Sequence, residues 1–405
     1  MLHPKTRGPD RDGPHIAVVG AGIAGLTLAV ALARAGLRCD VYEQTRRMRE
    51  VGAGVQIAPN ASRLLHRLGL GERLRELAVR PSAVEMRRWD DGALLGRTAL
   101  GAECEELYGA PYYTVHRADL HQQLLCRLAD GSLHIGLRCV GAEEDADGAV
   151  LRFEDGSVRR ADLVVGADGI HSVVREALAP DEPRFSGQSI YRGLVPSERL
   201  PFLTADPKVR LWLGPEQHLV CYPVSGGRLI SFGATAPAGD WTAESWTADG
   251  RVAELALTYA GWNPDVRKIV EAPDAVGRWA LHDRDPIDRW TTGRIALLGD
   301  AAHPMLPFMA QGANQAVEDA VVLAGCLAGA EAGPDGLRAA LVRYEELRRP
   351  RTDLIQRQSR ANSAKFHLSD GDGQRERDAE LIGSQNLREQ EWLYGHDAEA
   401  ALADA

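Results

Sequence analysis

The chain has 405 residues, 44% of them hydrophobic and 26% charged, with a formal net charge of -10 and a pI of about 5.7. That length can bury two substantial cores, and the acidic balance argues against a general nucleic-acid surface. No apolar run reaches the length of a membrane span.

Residues 1–13 are polar, carry Pro and Gly and lack an apolar signal region, so a loose tail is expected there. The six cysteines, at 39, 104, 126, 139, 221 and 326, form no C-x-x-C pair. Reduced thiols and a cytoplasmic setting are the expectation, with no metal site.

Ile16 to Val19 form a short apolar run suited to a buried parallel strand. Gly20, Ala21, Gly22 and Gly25 follow in G-x-G-x-x-G order. In such a turn Gly20 permits the tight bend, Gly22 lets a pyrophosphate approach the backbone, and Gly25 lets the next helix lie close to the sheet. Leu26 to Ala35 supply that helix, whose positive end favours phosphates. Leu37 to Tyr42 return as a strand that ends at Glu43, eighteen residues after Gly25. A carboxylate there can accept both hydroxyls of an adenosine ribose.

Gly52-Ala-Gly-Val-Gln-Ile-Ala-Pro-Asn60 is a Gly-rich loop before a helix near 60–69, and residues 83–113 carry strand-like runs. Ala118 to Leu128 is helical in pattern, and 133–165 reads as strands between Gly and Asp turns. Asp162-Leu-Val-Val-Gly-Ala-Asp168-Gly-Ile-His-Ser-Val-Val-Arg175 is a second strand that ends on a carboxylate before a helix. Strands at 189–195, 209–213, 218–222 and 229–234 suggest an antiparallel sheet. Residues 250–271 look helical.

Arg294 to Leu298 is a buried strand ending in Gly299-Asp300, with a helix starting at about Gly312. A helix N-terminus aimed at a ring can hold developing negative charge, and a strand-end acid can accept from sugar-like hydroxyls. Flavin adenine dinucleotide (FAD) needs both. A charged helix over 335–365 and a polar surface segment over 369–390 follow. Glu391-Trp-Leu-Tyr-Gly-His396 is unusually aromatic. It can dock on the body or close over a substrate.

These three motifs, in this order, resemble the single-component FAD-dependent aromatic hydroxylases, the group A flavoprotein monooxygenases. The resemblance runs over about 15–350 and is nearest to the salicylate, 3-hydroxybenzoate and 6-hydroxynicotinate hydroxylases. Val115-His-Arg-Ala-Asp-Leu120, Tyr191-Arg-Gly193, His218-Leu-Val-Cys-Tyr-Pro223 and Met309-Ala-Gln-Gly-Ala313 carry it, with the loop at 52–60. It implies an α/β fold: a Rossmann-like FAD-binding domain of the GR2 type interleaved with a mostly antiparallel substrate domain, plus C-terminal helices. The expected segments are 14–80, 114–186 and 281–350 for FAD, 81–113 and 187–280 for substrate, and 351–405 for the C-terminal helices and tail.

By the same resemblance Gly20, Ala21, Gly22, Gly25, Glu43, Gly54, Val55, Arg117, Asp168, Asp300, Gly312, Ala313 and Asn314 contact FAD. The implied cycle has NADH or NADPH reduce the flavin and dioxygen add at C4a. The terminal oxygen of the hydroperoxide then passes to a small phenol, aminophenol or hydroxylated aromatic carboxylate. The protein would act as a monomer or homodimer. Where relatives carry basic or amide groups around the substrate, this chain offers Gln56, Cys221, Pro307 and Phe308, which leaves no evident catalytic base. A same-fold enzyme of epoxidation or oxidative decarboxylation, and a non-catalytic flavin-binding protein, are the alternative readings.

Overall fold

A computed structural model describes residues 13–48, 53–239, 249–383 and 386–404. The expected loose tail, apart from Gly13, and Gly52 of the Gly-rich loop lie outside the described residues.

Strand β1 (Ile16–Val19) is buried throughout and leads into α1 (Ile23–Arg34). Strand β2 (Cys39–Glu43) returns parallel to it. Then come β3 (Gly54–Ile57), α2 (Pro59–Leu65), a π turn and α3 (Gly71–Leu77). Next are β4 (Ala83–Arg88), β5 (Leu94–Ala99) and α4 (Gly101–Tyr108). Strand β6 (Tyr113–His116) pairs antiparallel with β3 and precedes α5 (Arg117–Leu125) and β7 (Leu133–Ile135). A meander of β8 (Cys139–Asp145), β9 (Gly148–Phe153) and β10 (Val158–Ala161) leads to β11 (Leu163–Gly166) and the single turn α6 (Val173–Glu176).

The long β12 (Arg184–Pro196) is followed by β13 (Val209–Gly214), β14 (Gln217–Val224), β15 (Leu229–Pro237) and β16 (Asp249–Gly250). Helices α7 (Val252–Thr258) and α8 (Pro264–Glu271) come before β17 (Val276–Asp283). The chain ends in β18 (Ile295–Leu297), α9 (Gly312–Ala328), α10 (Pro334–Phe366), α11 (Asp372–Gly383), α12 (Glu391–Tyr394) and α13 (Ala398–Asp404).

Two sheets organise these elements. The first is five-stranded, in the order β18-β11-β1-β2-β7, and every pairing in it is parallel. Strands buried on both faces must be apolar on both, which is why β1, β11 and β18 read as unbroken runs of small and branched residues. Helices α1 and α9 contribute to its core. The second sheet is eight-stranded, in the order β16-β17-β12-β15-β14-β13-β4-β5, antiparallel except for the parallel β13–β4 pair. One face carries Tyr191, Trp212, Leu219, Cys221 and Phe232, which pack with Leu255, Tyr259, Val266 and Ile269 of the α7–α8 region. The other face turns toward Leu306, Phe308 and Phe366.

Two local expectations are corrected and a third is completed. Residues 101–108, taken for strand-like sequence, form α4, closed by Gly109 in the left-handed conformation at φ 70°. The helical stretch at 250–271 is two helices, broken by Asn263-Pro264, where Asn263 caps the second. The described residues of 369–390 are mostly exposed, as expected, but form a helix with a buried polar face. Helix α11 buries Gln374, Arg377 and Asp378, whose polar groups satisfy one another: Arg377 Nε donates to Asp378 at 2.9 Å and Gln374 to the same carboxylate. Polar composition hides such a segment because partners inside it replace water.

Candidate active site

The glycine turn has the three steric roles its spacing implies. Gly20 sits at φ +104°, and a Cβ there would lie 2.3 Å from the Ala167 carbonyl oxygen. A Cβ on Gly25 would stand 2.0 Å from the Gly20 oxygen, so only glycine lets α1 approach the turn. Gly22 is the opposite case: a Cβ there meets nothing within 4 Å. The space beside it is open. Ala21 is held on both sides, its N–H donating to Glu43 Oε2 at 2.9 Å and its carbonyl bonded to His121 Nε2 at 2.8 Å. Glu43 also accepts from the Thr45 N–H at 2.8 Å and stays partly exposed at the end of β2. The carboxylate therefore borders the open space beside Gly22.

Two further strand ends converge on the same side of the sheet. Beyond β11, Asp168 accepts from Ser172 Oγ at 2.5 Å and from the Val173 N–H at 2.9 Å, which fixes the turn into α6. Burial pushes its pKa up, against these bonds. The structure thus gives Asp168 a turn-fixing role among its neighbours. Arg175 of α6, almost wholly buried, donates to the carbonyls of Ala301 and Ala302 at 3.0 and 2.8 Å and pairs with Asp181 at 2.7 Å. It ties the second motif to the third, a link that sequence reasoning missed because the partners are 126 residues apart.

Beyond β18, Asp300 keeps an accessible carboxyl although protein surrounds it closely enough to desolvate it and raise its pKa. It therefore lines a deep cleft rather than the outer surface. His303 and Arg117 act in the other direction on Asp300. Arg117 begins α5, and its N–H donates to the Ala53 carbonyl at 2.8 Å.

The N-terminus of α9 faces this cleft. A Cβ on Gly312 would meet only Asp300 Oδ1, at 3.8 Å. The N–H groups of Gly312, Ala313 and Asn314 begin the helix and point out of its first turn. Asn314 is fully buried and clamps β3: its Oδ1 accepts from the Ala58 N–H at 2.8 Å, while its Nδ2 donates to the carbonyls of Gln56 and Ala310 at 3.0 and 2.7 Å. Ala310 is held at φ 52°, an uncommon conformation for a residue with a Cβ. The small-residue loop at 310–314 is thus pinned to a set position.

Below α9 lies a buried charge network. Glu318 and Asp319 pair with Arg348 at 2.5 and 2.8 Å, Arg351 adds to Glu318 at 2.8 Å, and His303 bonds Asp319 at 2.5 Å. Burial opposes ionisation of Glu318, but Arg348 and Arg351 outweigh it and hold its pKa down at about 2. Asn60 of α2 donates to Glu318 at 2.6 Å, so the network also locks the loop that carries Gln56.

The opposite wall of the cleft comes from the eight-stranded sheet. Gly54 donates its N–H to Ser231 Oγ at 2.8 Å, and a Cβ there would lie 2.5 Å from the Tyr222 ring. Val55 packs on the core of the parallel sheet. Gln56 is half-buried and accepts from Tyr112 Oη at 2.7 Å. Arg192 stands over the Trp279 ring, 5.8 Å from its centre. Burial lowers the pKa of its guanidinium, while Tyr222 favours its charge and Arg117 opposes it. Pro307 opens a tight turn that presents Phe308, whose ring contacts His218 and His367 at 5.2 and 5.4 Å. His218 Nδ1 bonds His367 Nε2 at 2.8 Å. Burial holds both rings well below the usual histidine range, His367 at about 4.

Cys221 is corrected as a pocket residue. Along β14 it alternates with Val220 and Tyr222, so it points to the other face, between Phe232 and Trp212 under α7 and α8. Burial pushes its thiol up to about 12. Tyr112 and His367 were not singled out from sequence and do belong to this wall or its support; Tyr394 lies in the aromatic segment at 391–396, which docks on the body beside Tyr112.

An open cradle at Gly22, a carboxylate at Glu43, an accessible acid inside the cleft at Asp300 and a free helix end at Gly312 together suit a long anionic ligand with ribose at one end and a charge-accepting ring at the other. FAD fits that description. The FAD binding domain family model matches residues 14–359. The chain is 51% identical to the 3-amino-4-hydroxybenzoate 2-monooxygenase of Streptomyces platensis, over 95% of this chain and 96% of that one. It is 38% identical to the 6-hydroxynicotinate 3-monooxygenase of Bordetella bronchiseptica, over 86% and 91%. The crystal structure of Klebsiella pneumoniae HpxO with FAD and uric acid superimposes with a TM-score of 0.82 at 30% identity, covering 96% and 97%.

Proposed function

The chain belongs to the FAD binding domain family and is an FAD-dependent aromatic monooxygenase, and from that premise we propose that its substrate is 3-amino-4-hydroxybenzoate or a close analogue, hydroxylated at the ring carbon between the amine and the carboxylate. The observation that carries this reading is the 51% identity along nearly the whole chain to an enzyme of that name.

Bound FAD, reduced by NADH or NADPH, supplies an electrophilic oxygen from dioxygen. The rest falls to the chain. Position 2 of this ring is ortho to the amine and meta to the hydroxyl. The nitrogen lone pair activates it directly, whereas ionising the phenol activates other carbons. A pocket for this reaction has to keep the amine unprotonated and has less need of a strong base. Gln56, Tyr112 and Tyr222 suit that demand. They offer hydrogen-bonding atoms that do not protonate an aniline, since burial raises the Tyr112 and Tyr222 phenols, Tyr222 to about 12. The absence of a histidine at Gln56 and Phe308 then follows from the substrate.

Arg192 is the cation on this wall, and a desolvated guanidinium favours an anion such as the substrate carboxylate. Phe308 shields the ring from water on the side of His218 and His367.

The test is NAD(P)H oxidation with 3-amino-4-hydroxybenzoate, 6-hydroxynicotinate, salicylate and 3-hydroxybenzoate, with product identified by mass and ring position. The proposal expects the first to give the fastest coupled turnover and a product one oxygen heavier, substituted at position 2. Greater coupled turnover with any of the other three overturns it.

A further inference from the structure

The segment around Glu391–Tyr394 is fastened with unusual completeness for so short a helix. The last carbonyls of a helix have no partner within it. Here two arginines from the body take four in a row. Arg351 of α10 donates to the carbonyls of Trp392 and Leu393 at 2.8 and 3.0 Å. Arg63 of α2 donates to those of Tyr394 and Gly395 at 2.9 and 3.3 Å. Both arginines are mostly buried, and Arg351 also pairs with Glu318. Leu387, ahead of the helix, is buried beside Leu100, Cys104, Tyr108 and Tyr112, and Tyr108 donates to its carbonyl.

This clamp sets the Tyr394 ring edge-on against two others, 5.9 Å from the centres of both Tyr108 and Tyr112. Tyr112, packed against that ring, donates to Gln56 Oε1 at 2.7 Å. The backbone carbonyl of Gln56 is held by Asn314 at the start of α9. One continuous chain of contacts therefore runs from the segment at 387–396, through Tyr394, Tyr112 and Gln56, to the wall opposite the helix end.

We propose that Tyr394 is a positioning residue of the substrate site, whose ring sets the Tyr112 ring and, through the Tyr112 hydroxyl, the Gln56 amide. The segment at 387–396 thereby acts as a structural part of that site. The proposal rests on the reading of Gln56 as a pocket residue made above. A phenol ring that loses its packing neighbour can shift and carry its hydroxyl with it. Gln56 would then lose the bond that fixes which way its amide oxygen and NH2 point.

The test uses the full-length FAD-loaded protein and the variants Tyr394→Leu, Tyr112→Phe and the double variant, with Tyr394→Phe, which keeps the ring, as the conservative control. Amide hydrogen exchange of the substrate-free protein comes first. Tyr394→Leu should speed exchange at 54–57 and 112–116 at least threefold with FAD content unchanged, and Tyr394→Phe should leave it within twofold of wild type. Affinity for 3-amino-4-hydroxybenzoate, titrated by the change it causes in flavin absorption, should fall five- to twentyfold in Tyr394→Leu and in Tyr112→Phe and no further in the double. KM should rise in parallel while kcat changes less than twofold.

Exchange unaltered at 54–57 overturns the proposal whatever the substrate proves to be. So do singles whose losses multiply in the double, and a Tyr394→Leu protein that loses stability or FAD without losing affinity. If no spectral change is seen even with wild type, the substrate reading fails, and the exchange result alone decides the role of Tyr394.

Discussion

Replacing Gly22 with alanine separates ligand space from protein packing in one substitution. Gly22 caps α1 with φ -75° and ψ -176°, a conformation open to any residue, and an added Cβ finds nothing within 4 Å. Alanine restricts the unfolded chain, which favours folding by about 0.4–1 kcal/mol. It is also a poorer N-cap than glycine, by roughly 0.5–1 kcal/mol. The two effects nearly cancel, so the FAD-free protein should melt within about 2 °C of wild type. FAD is affected differently. Its pyrophosphate has to lie against the backbone at this glycine, and a methyl group in an occupied contact costs about 1–3 kcal/mol. Affinity should fall about 5- to 150-fold. Flavin fluorescence quenching on adding FAD to the stripped protein measures this directly. Gly25→Ala is the control, since its Cβ would sit 2.0 Å from the Gly20 oxygen and should abolish folding as well as binding. A Gly22→Ala protein that binds FAD with wild-type affinity would refute the assignment of the open space to the cofactor. A large drop in the melting temperature of the stripped protein would refute the packing argument.

Other outcomes follow from the site. Arg192→Gln should raise KM for 3-amino-4-hydroxybenzoate about 10- to 150-fold, the loss of a charge-assisted bond, and leave KM for 2-aminophenol, which lacks the carboxylate, within about threefold. Arg348→Met should destabilise the protein by about 3–5 kcal/mol in urea titrations, because it leaves Glu318 and Asp319 as buried charges with fewer partners. The folded protein holds His367 at about 4 against an ordinary 6.5, so the unfolded state binds the extra proton. The contribution of His367 is full above pH 6.5 and should fall by up to about 3 kcal/mol as pH drops toward 4, and His367→Phe should make that part of the profile shallower, with the His218 share remaining.

What the sequence makes legible is what lies close together along the chain. The geometry of the turn from Gly20 to Gly25 and the strand-end place of Glu43 match the sequence because each feature is local: a positive φ, a close helix, a strand end. Asp300 and the start of α9 read for the same reason, as a strand, a loop and a helix in succession. Cys221 did not. Alternation along β14 separated it from Tyr222, but only the placement of α7 and α8 decides which face is core and which is cleft. Residues 101–108 and the buried polar residues of α11 were obscured by composition, since charged side chains with partners in the fold look like surface when those partners are not known.

The least legible features are the side chains that hold the others in place. Arg175 reaches the carbonyls after Asp300, Arg348 reaches two adjacent acids on α9, and Arg63 and Arg351 hold the carbonyls at 392–395. Each joins segments far apart in the chain, and none has a motif, because an arginine can satisfy carbonyls and carboxylates in many backbone settings. They also share a direction. All of them brace the loops at 299–302, 310–314 and 54–60, where small residues leave space for a ligand and few apolar contacts remain to hold the backbone. A cofactor-shaped cleft lacks a core at its centre, so its rigidity has to come from behind the loops. Buried charge with good geometry can supply that rigidity at the cost of desolvation. The position of these arginines, behind the loops and off the cleft surface, follows from that requirement.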